Sequence, residues 1–197
     1  MDEFIIFSKT GLTHVLNLHS YDHLLFLIAL SVPYVAKDWK RILILISSFT
    51  LGHTISLLLS VFNIVKVLDS WVELLILATI LITAFYNIII IGKSSKNSTI
   101  TFIATVTVFF GILHGLGFSN YFNTLLPGKP IDKLLPLLEF SIGIEVAQII
   151  VVIAVLILAF ISQTLLRFNK RDFVLLMSSF VLGVVVPLIL ENPILKK

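Results

Sequence analysis

Long apolar blocks separated by short polar stretches dominate the chain, and a block length near twenty residues is that of a helix crossing a bilayer. The first block expected to span runs from about Tyr21 to Ala36, with Pro33 near its end. The basic, Trp-bearing stretch Lys37-Asp38-Trp39-Lys40-Arg41 closes it at an interface. The second, Trp39 to about Phe62, sets Thr50, His53, Ser56 and Ser60 along one helical face, a stripe that has to face protein rather than lipid. Asp69-Ser70 begins the third, which runs to about Ile91. The fourth covers Thr99 to about Leu126 and carries Gly111, His114, Gly115 and Gly117, a glycine density that permits close packing or a local break. The fifth covers about Leu134 to Phe168, and the sixth Phe173 to Leu190 with Pro187 near its end. Met1 to Leu18 is mixed and contains Gly11, and reads as an interfacial segment or a partial helix. The expected fold is all-α: a polytopic membrane bundle of about six transmembrane helices forming one domain over residues 1–197.

Composition narrows this further. Of 197 residues 58% are hydrophobic and only 13% charged, against about 25% charged in soluble proteins, and the mean hydropathy is +1.09. No stretch is left for a separate soluble domain. The acidic start Met1-Asp2-Glu3 lacks the positive region and cleavage site of a secretory signal, so no cleaved leader is expected. There is no cysteine, and the methionines are Met1 and Met177, which excludes thiolate ligation and nearly excludes soft sulfur ligation altogether. The net charge of +3 comes from short loops without a basic stripe or aromatic platform, so lipid is the expected surrounding and nucleic acid is not a partner. Eight lysines and arginines fall after spans one, three and five, against six on the other side. That excess places both termini outside a cytoplasmic membrane of the bacterial type.

The candidate chemistry lies inside the blocks. Asp22-His23 abuts the apolar run Leu24 to Leu30, and His53, Glu73, His114 and Glu145 each sit in a different segment. An acidic group at the bilayer centre costs roughly 3 kcal/mol, so such residues point to function. Alternating helix direction puts all five segments' polar residues in the same half of the membrane, the outer half on this topology. Glu145 would lie roughly 16 Å into its helix at 1.5 Å per residue. Structural roles compete with this reading. Asp22 suits a helix N-cap, Ser70 and Glu73 fit a capping box, and His53 and His114 could hydrogen-bond neighbouring helices. Glu145 has no capping role and needs a cation or a proton, with Ser141 and Gln148 on its face. Asn87 is the main polar group of the inner half and, with Ser141 and Gln148, a candidate supporting group, while His19 and Glu139 read as solvated. The donors available, imidazole nitrogen and carboxylate oxygen, suit Ni, Co, Zn or Fe(II) and disfavour Cu(I). Phe49-Thr-Leu-Gly-His53 before Glu73 and Phe110-Gly-Ile-Leu-His114 before Glu145 form a weak internal echo.

Several short motifs, in order, carry a resemblance. Gly11-Leu-Thr-His14, Tyr21-Asp22-His23, Phe49-Thr-Leu-Gly-His53, Trp71-Val-Glu73, Gly111-Ile-Leu-His114-Gly-Leu-Gly-Phe118 and Gly143-Ile-Glu145-Val-Ala-Gln148 resemble the HupE/UreJ family of small membrane proteins. The resemblance implies a nickel or cobalt permease serving hydrogenase and urease maturation. Larger nickel/cobalt transporters carry His-x4-Asp-His on one helix, whereas here His14 lies eight residues before Asp22 and His19 only three. Which of the two joins Asp22 and His23 stays open at this point. The metal set expected is His23, His53, His114, Asp22, Glu73, Glu145 and His14. A rival from another class is an intramembrane zinc hydrolase, with three histidines and a carboxylate holding the metal and another carboxylate as general base. A third reading, helix-gluing polar residues without metal, predicts a non-transporting subunit. The metal, the direction, the energy source and assembly as a homo-oligomer are left open by the sequence.

Overall fold

The computed structural model describes residues 2–17, 21–65, 68–91, 100–125 and 128–196. His19 and the Lys93 to Ser98 loop, expected on the cytoplasmic side, lie outside the described residues. Within them the chain is all-helical and has no strand: α1 (Asp2–Leu16), α2 (Asp22–Ser31), α3 (Trp39–Val61), α4 (Asp69–Ile90), α5 (Ile100–Leu125), α6 (Leu134–Thr164) and α7 (Lys170–Glu191). Short 3-10 turns over Ala36–Asp38 and Pro130–Lys133 lead into α3 and α6. The last five helices are long and apolar enough to cross a membrane.

The first expected span resolves differently. Helix α2 has ten residues, roughly 15 Å of rise, about half the thickness of a hydrocarbon core. Pro33 lacks the N–H needed to carry it further. Helix α1 is a partial helix that packs by one face against α6 and leaves Phe4, Ile5 and Ile6 exposed. Gly11 is buried and Val15 is fully buried.

Glycine contacts explain this packing. A Cβ at Gly11 would collide with the Phe140 carbonyl oxygen, and one at Gly143 with that of Ser8. The same reciprocal contact joins α3 and α5: Gly52 lies against the Val108 carbonyl and Gly111 against that of Phe49. Only a residue without a side chain lets two helix backbones approach so closely. Both pairs run parallel. Gly115 lies against His53 and Ser56, and Asn123 donates to Ser60 Oγ at 2.9 Å, so α3 and α5 advance together. Ser8 Oγ donates to the Glu139 carbonyl at 3.2 Å, three residues before Gly11 on α1 and four before Gly143 on α6, so these two helices also advance together.

Helix α2 runs with α4, because Asn87 near the end of α4 donates to the Ala29 carbonyl near the end of α2 at 2.7 Å. Helix α2, less than half as long as α4, therefore begins about midway, and the starts of α4 and α6 with the finishes of α3, α5 and α7 define one end of the bundle, called the mouth end below. The other is the basic end. Trp39 at the start of α3 and Trp71 at the start of α4, both about half exposed, mark the two interfaces. Large apolar side chains such as Phe102 and Phe160 point outward along the helices, as a lipid-facing surface requires.

Candidate metal centre

Four helices each contribute one histidine to a common interior point. His14 comes from the last turn of α1, His23 is the second residue of α2, His53 follows Gly52 on α3, and His114 lies between Gly111 and Gly115 on α5. The glycine crossings thus fix the backbones from which three of these rings project. Ring centroids stand 4.6 Å apart for His14 and His23, 5.2 Å for His23 and His114, 5.6 Å for His23 and His53, and 5.8 Å for His14 and His53. One ligand atom from each of His14, His23 and His53 lies within 4.8 Å of the other two. His23, His53 and His114 are at most 2% exposed.

The hydrogen bonds show which nitrogens are free. His114 Nδ1 faces the Phe110 carbonyl at 2.9 Å, and a carbonyl can only accept, so Nδ1 carries the proton and Nε2 keeps its lone pair. His23 Nδ1 likewise faces Asp22 Oδ1 at 3.2 Å. A carboxylate holding one imidazole nitrogen so that the other can ligate is the usual arrangement behind a metal-binding histidine. His14 Nε2, His23 Nε2, His114 Nε2 and both nitrogens of His53 are buried with no hydrogen-bond partner. Phe118 covers His14 at a centroid distance of 3.8 Å, and Phe26 and Phe49 each lie 5.0 Å from His114.

A cavity of about 590 Å³ leads to this point from the mouth end. His14, His23 and His114 line it, together with four carboxylates: Asp22, Asp69, Glu73 and Glu191. Neither capping role expected for the acidic residues forms. Helix α2 is preceded by Tyr21 and α4 by Leu68, both without a side-chain cap bond, which leaves Asp22 to His23 and Glu73 exposed to the cavity. Asp69 and Glu191 were not singled out from the sequence, because acids at helix ends look like ordinary solvated charges. Only the chain reversal that brings the start of α4 beside the finish of α7 unites them.

Glu145 stands apart from the histidines. It accepts a hydrogen bond from Ser47, six residues before His53 on α3 and hence roughly 9 Å nearer the basic end. Gln148 is fully buried and accepts from Thr50 at 3.2 Å. Ser141 donates to the Leu137 carbonyl at 2.8 Å and meets Thr54 Oγ1 at 2.8 Å. Asn87 belongs to the opposite end. Glu139, expected to be solvated, is 8% exposed, because α1 packs over it.

Five long apolar helices around a buried polar cluster make this a helical membrane bundle. The chain belongs to the HupE/UreJ family: the family model described as HupE / UreJ protein matches residues 1–190. That family implies metal transport of the nickel/cobalt type. Comparison with curated proteins and with solved structures gives no significant match.

Proposed function

We propose that the chain is a permease for a divalent transition metal, nickel- or cobalt-like, which binds the imidazoles of His14, His23, His53 and His114. The observation that carries this reading is the set of five buried imidazole nitrogens without a partner, drawn from four helices. A buried polar atom left unsatisfied costs roughly 1–3 kcal/mol, and since each neutral ring keeps one lone pair, the four rings offer up to four donors that an ion would satisfy. Donors bonded to one ion at 2.0–2.1 Å in a tetrahedron stand roughly 3.3 Å apart. The donors of His14, His23 and His53 lie within 4.8 Å of one another and need a contraction of about 1.5 Å or less to grip an ion, with His114 approaching from beside His23 at a ring-centroid distance of 5.2 Å. Asp22 orients His23 and supplies a compensating charge, and Asp69, Glu73 and Glu191 draw cations into the mouth.

The protein sits in a bacterial-type cytoplasmic membrane with both termini and the mouth outside. Towards the basic end the path is shut by the stacked rings of Phe26 and Phe49, 4.8 Å apart, and by the Asn87 bond to Ala29. Release inward requires α2 to part from α4, and protons competing for the same nitrogens would assist it. The test combines equilibrium dialysis of the purified protein against nickel and cobalt with flux into proteoliposomes. Binding near one equivalent together with uptake supports the permease. A retained zinc ion with no flux and hydrolysis of a lipid-like substrate would replace it with the enzyme reading, and no metal bound at all would remove both.

A further inference from the structure

We infer that the basic end carries a binding site for the headgroup phosphate of an anionic phospholipid. A second cavity, about 540 Å³, opens there between the finish of α2 and the segment after it, the starts of α3, α5 and α7, and the finish of α4. That volume lies within the range of roughly 300–1,000 Å³ typical of ligand pockets. Three cations line it, Arg41 from α3 and Lys170 and Arg171 from α7. Among the described residues none of the three has a carboxylate within ion-pair distance. The single acid in the lining, Asp38, already accepts the Val35 N–H at 3.2 Å. The hydroxyl-bearing rings of Tyr34 and Tyr86 add polar contacts at the same level.

The rest of the lining is of a different kind. Leu30, Ile90 and Ile100 form apolar walls beside the charges, and Ile103 and Val174 continue them about a turn further into α5 and α7. A site for free phosphate would need no such walls, whereas a lipid brings a charged headgroup joined to hydrocarbon, and the lining offers both surfaces. The position agrees. Exposed Trp39, with Lys40 stacked on it at 5.6 Å, places this rim at a membrane interface, and basic pockets between helices at such a level suit anionic headgroups. The first turn of α7 adds N–H groups, since Asn169 makes no capping bond to them. Three unpaired cations give a divalent metal no place to stay, so the resident of this cavity is an anion. The inference is independent of the permease reading.

The test uses the full chain in nanodiscs and in neutral detergent. Native mass spectrometry should retain phosphatidylglycerol over phosphatidylcholine. Arg41→Gln/Arg171→Gln should cut that preference about thirtyfold, at roughly 1 kcal/mol per basic residue, while Lys129→Gln/Lys196→Gln at the mouth end should leave it unchanged. Equal retention of both lipids, or an equal loss in the two double variants, overturns the site. Displacement of phosphatidylglycerol by millimolar inorganic phosphate would make it a free-phosphate site and overturn the lipid assignment. If the glutamine variant fails to fold, a photoactivatable anionic lipid on the wild-type protein decides. Crosslinks to residues 86–91 and 170–174 support the site, and crosslinks spread evenly over the helices overturn it.

Discussion

The two ends of the bundle hold cavities of nearly equal volume and opposite charge. At the mouth end about 590 Å³ is lined by Asp22, Asp69, Glu73 and Glu191 and reaches three imidazoles, while at the basic end about 540 Å³ is lined by Arg41, Lys170 and Arg171 beside apolar walls. Both arise from the same constraint, because helices held in close parallel pairs by glycine leave wedges where α2 and α7 fill the bundle incompletely. What differs is the chemistry at the narrow end of each wedge. The acidic mouth ends in nitrogen lone pairs without partners, and the basic one ends in isoleucine and in an amide already bonded to a carbonyl. Volume therefore says little about what a cavity takes in, and the unsatisfied atoms at its bottom say much more.

The sharpest way to break the contrast is to remove a lone pair from the mouth-end floor. His53→Ala deletes two unpartnered nitrogens and no internal hydrogen bond, so the fold should hold while nickel affinity drops at least about a hundredfold in equilibrium dialysis. Lipid retention at the basic end should stay as it was. Parallel loss of both functions would show that the histidines support the fold rather than a metal.

Next in size is Asp22→Asn, expected to weaken metal binding about 10–100-fold, the usual effect of losing a partner behind a metal-binding histidine. The amide can turn its NH2 toward His23 Nδ1, which forces the proton to Nε2 and hides the lone pair the metal needs. The pH dependence has the same origin. A protonated ring has no lone pair, so affinity should fall once the pH is low enough for the ligating rings to take up protons, by about tenfold per unit where one proton is displaced. Titration calorimetry that found equal affinity from neutral pH down to the acid limit of the fold would remove the imidazole site.

How much of this the sequence could carry depends on the type of signal. His23, His53 and His114 were legible because an ionisable residue inside an apolar block is costly and points to a partner or a function, and their common depth followed from alternating helix direction. Helix α1 was not, because its composition is mixed and its burial depends on Gly11 meeting Gly143, a contact across more than 130 residues. With α1 unplaced, nothing in the sequence carried His14 to His23, and the packing of α1 on α6 is what brings the two rings to 4.6 Å. Glu145 was expected at the depth of the histidines, but α6 presents it to Ser47, roughly 9 Å nearer the basic end than His53. Asp69 and Glu191 gave no signal at all, because they acquire meaning only when α7 returns beside α4.

Those last two residues give the smallest expected effect and the most specific one. Glu73, Asp69 and Glu191 touch no imidazole nitrogen, so neutralising them should leave the equilibrium grip of the site nearly intact and act instead on how fast a cation arrives. A cleft lined by one sign of charge concentrates counter-ions and raises association rates. The triple variant Asp69→Asn/Glu73→Gln/Glu191→Gln should therefore slow metal uptake in proteoliposomes by roughly threefold to tenfold at low ionic strength. Asp69 also accepts a hydrogen bond from Asn120 at 2.6 Å, which asparagine can preserve through its own oxygen, so the packing of α4 on α5 need not change. Raising the salt towards 1 M, where charges are screened over about 3 Å, should erase the difference between variant and wild type. A deficit that persisted in high salt would mean that the carboxylates bind the ion directly, and the acidic mouth would then be part of the metal site rather than its approach.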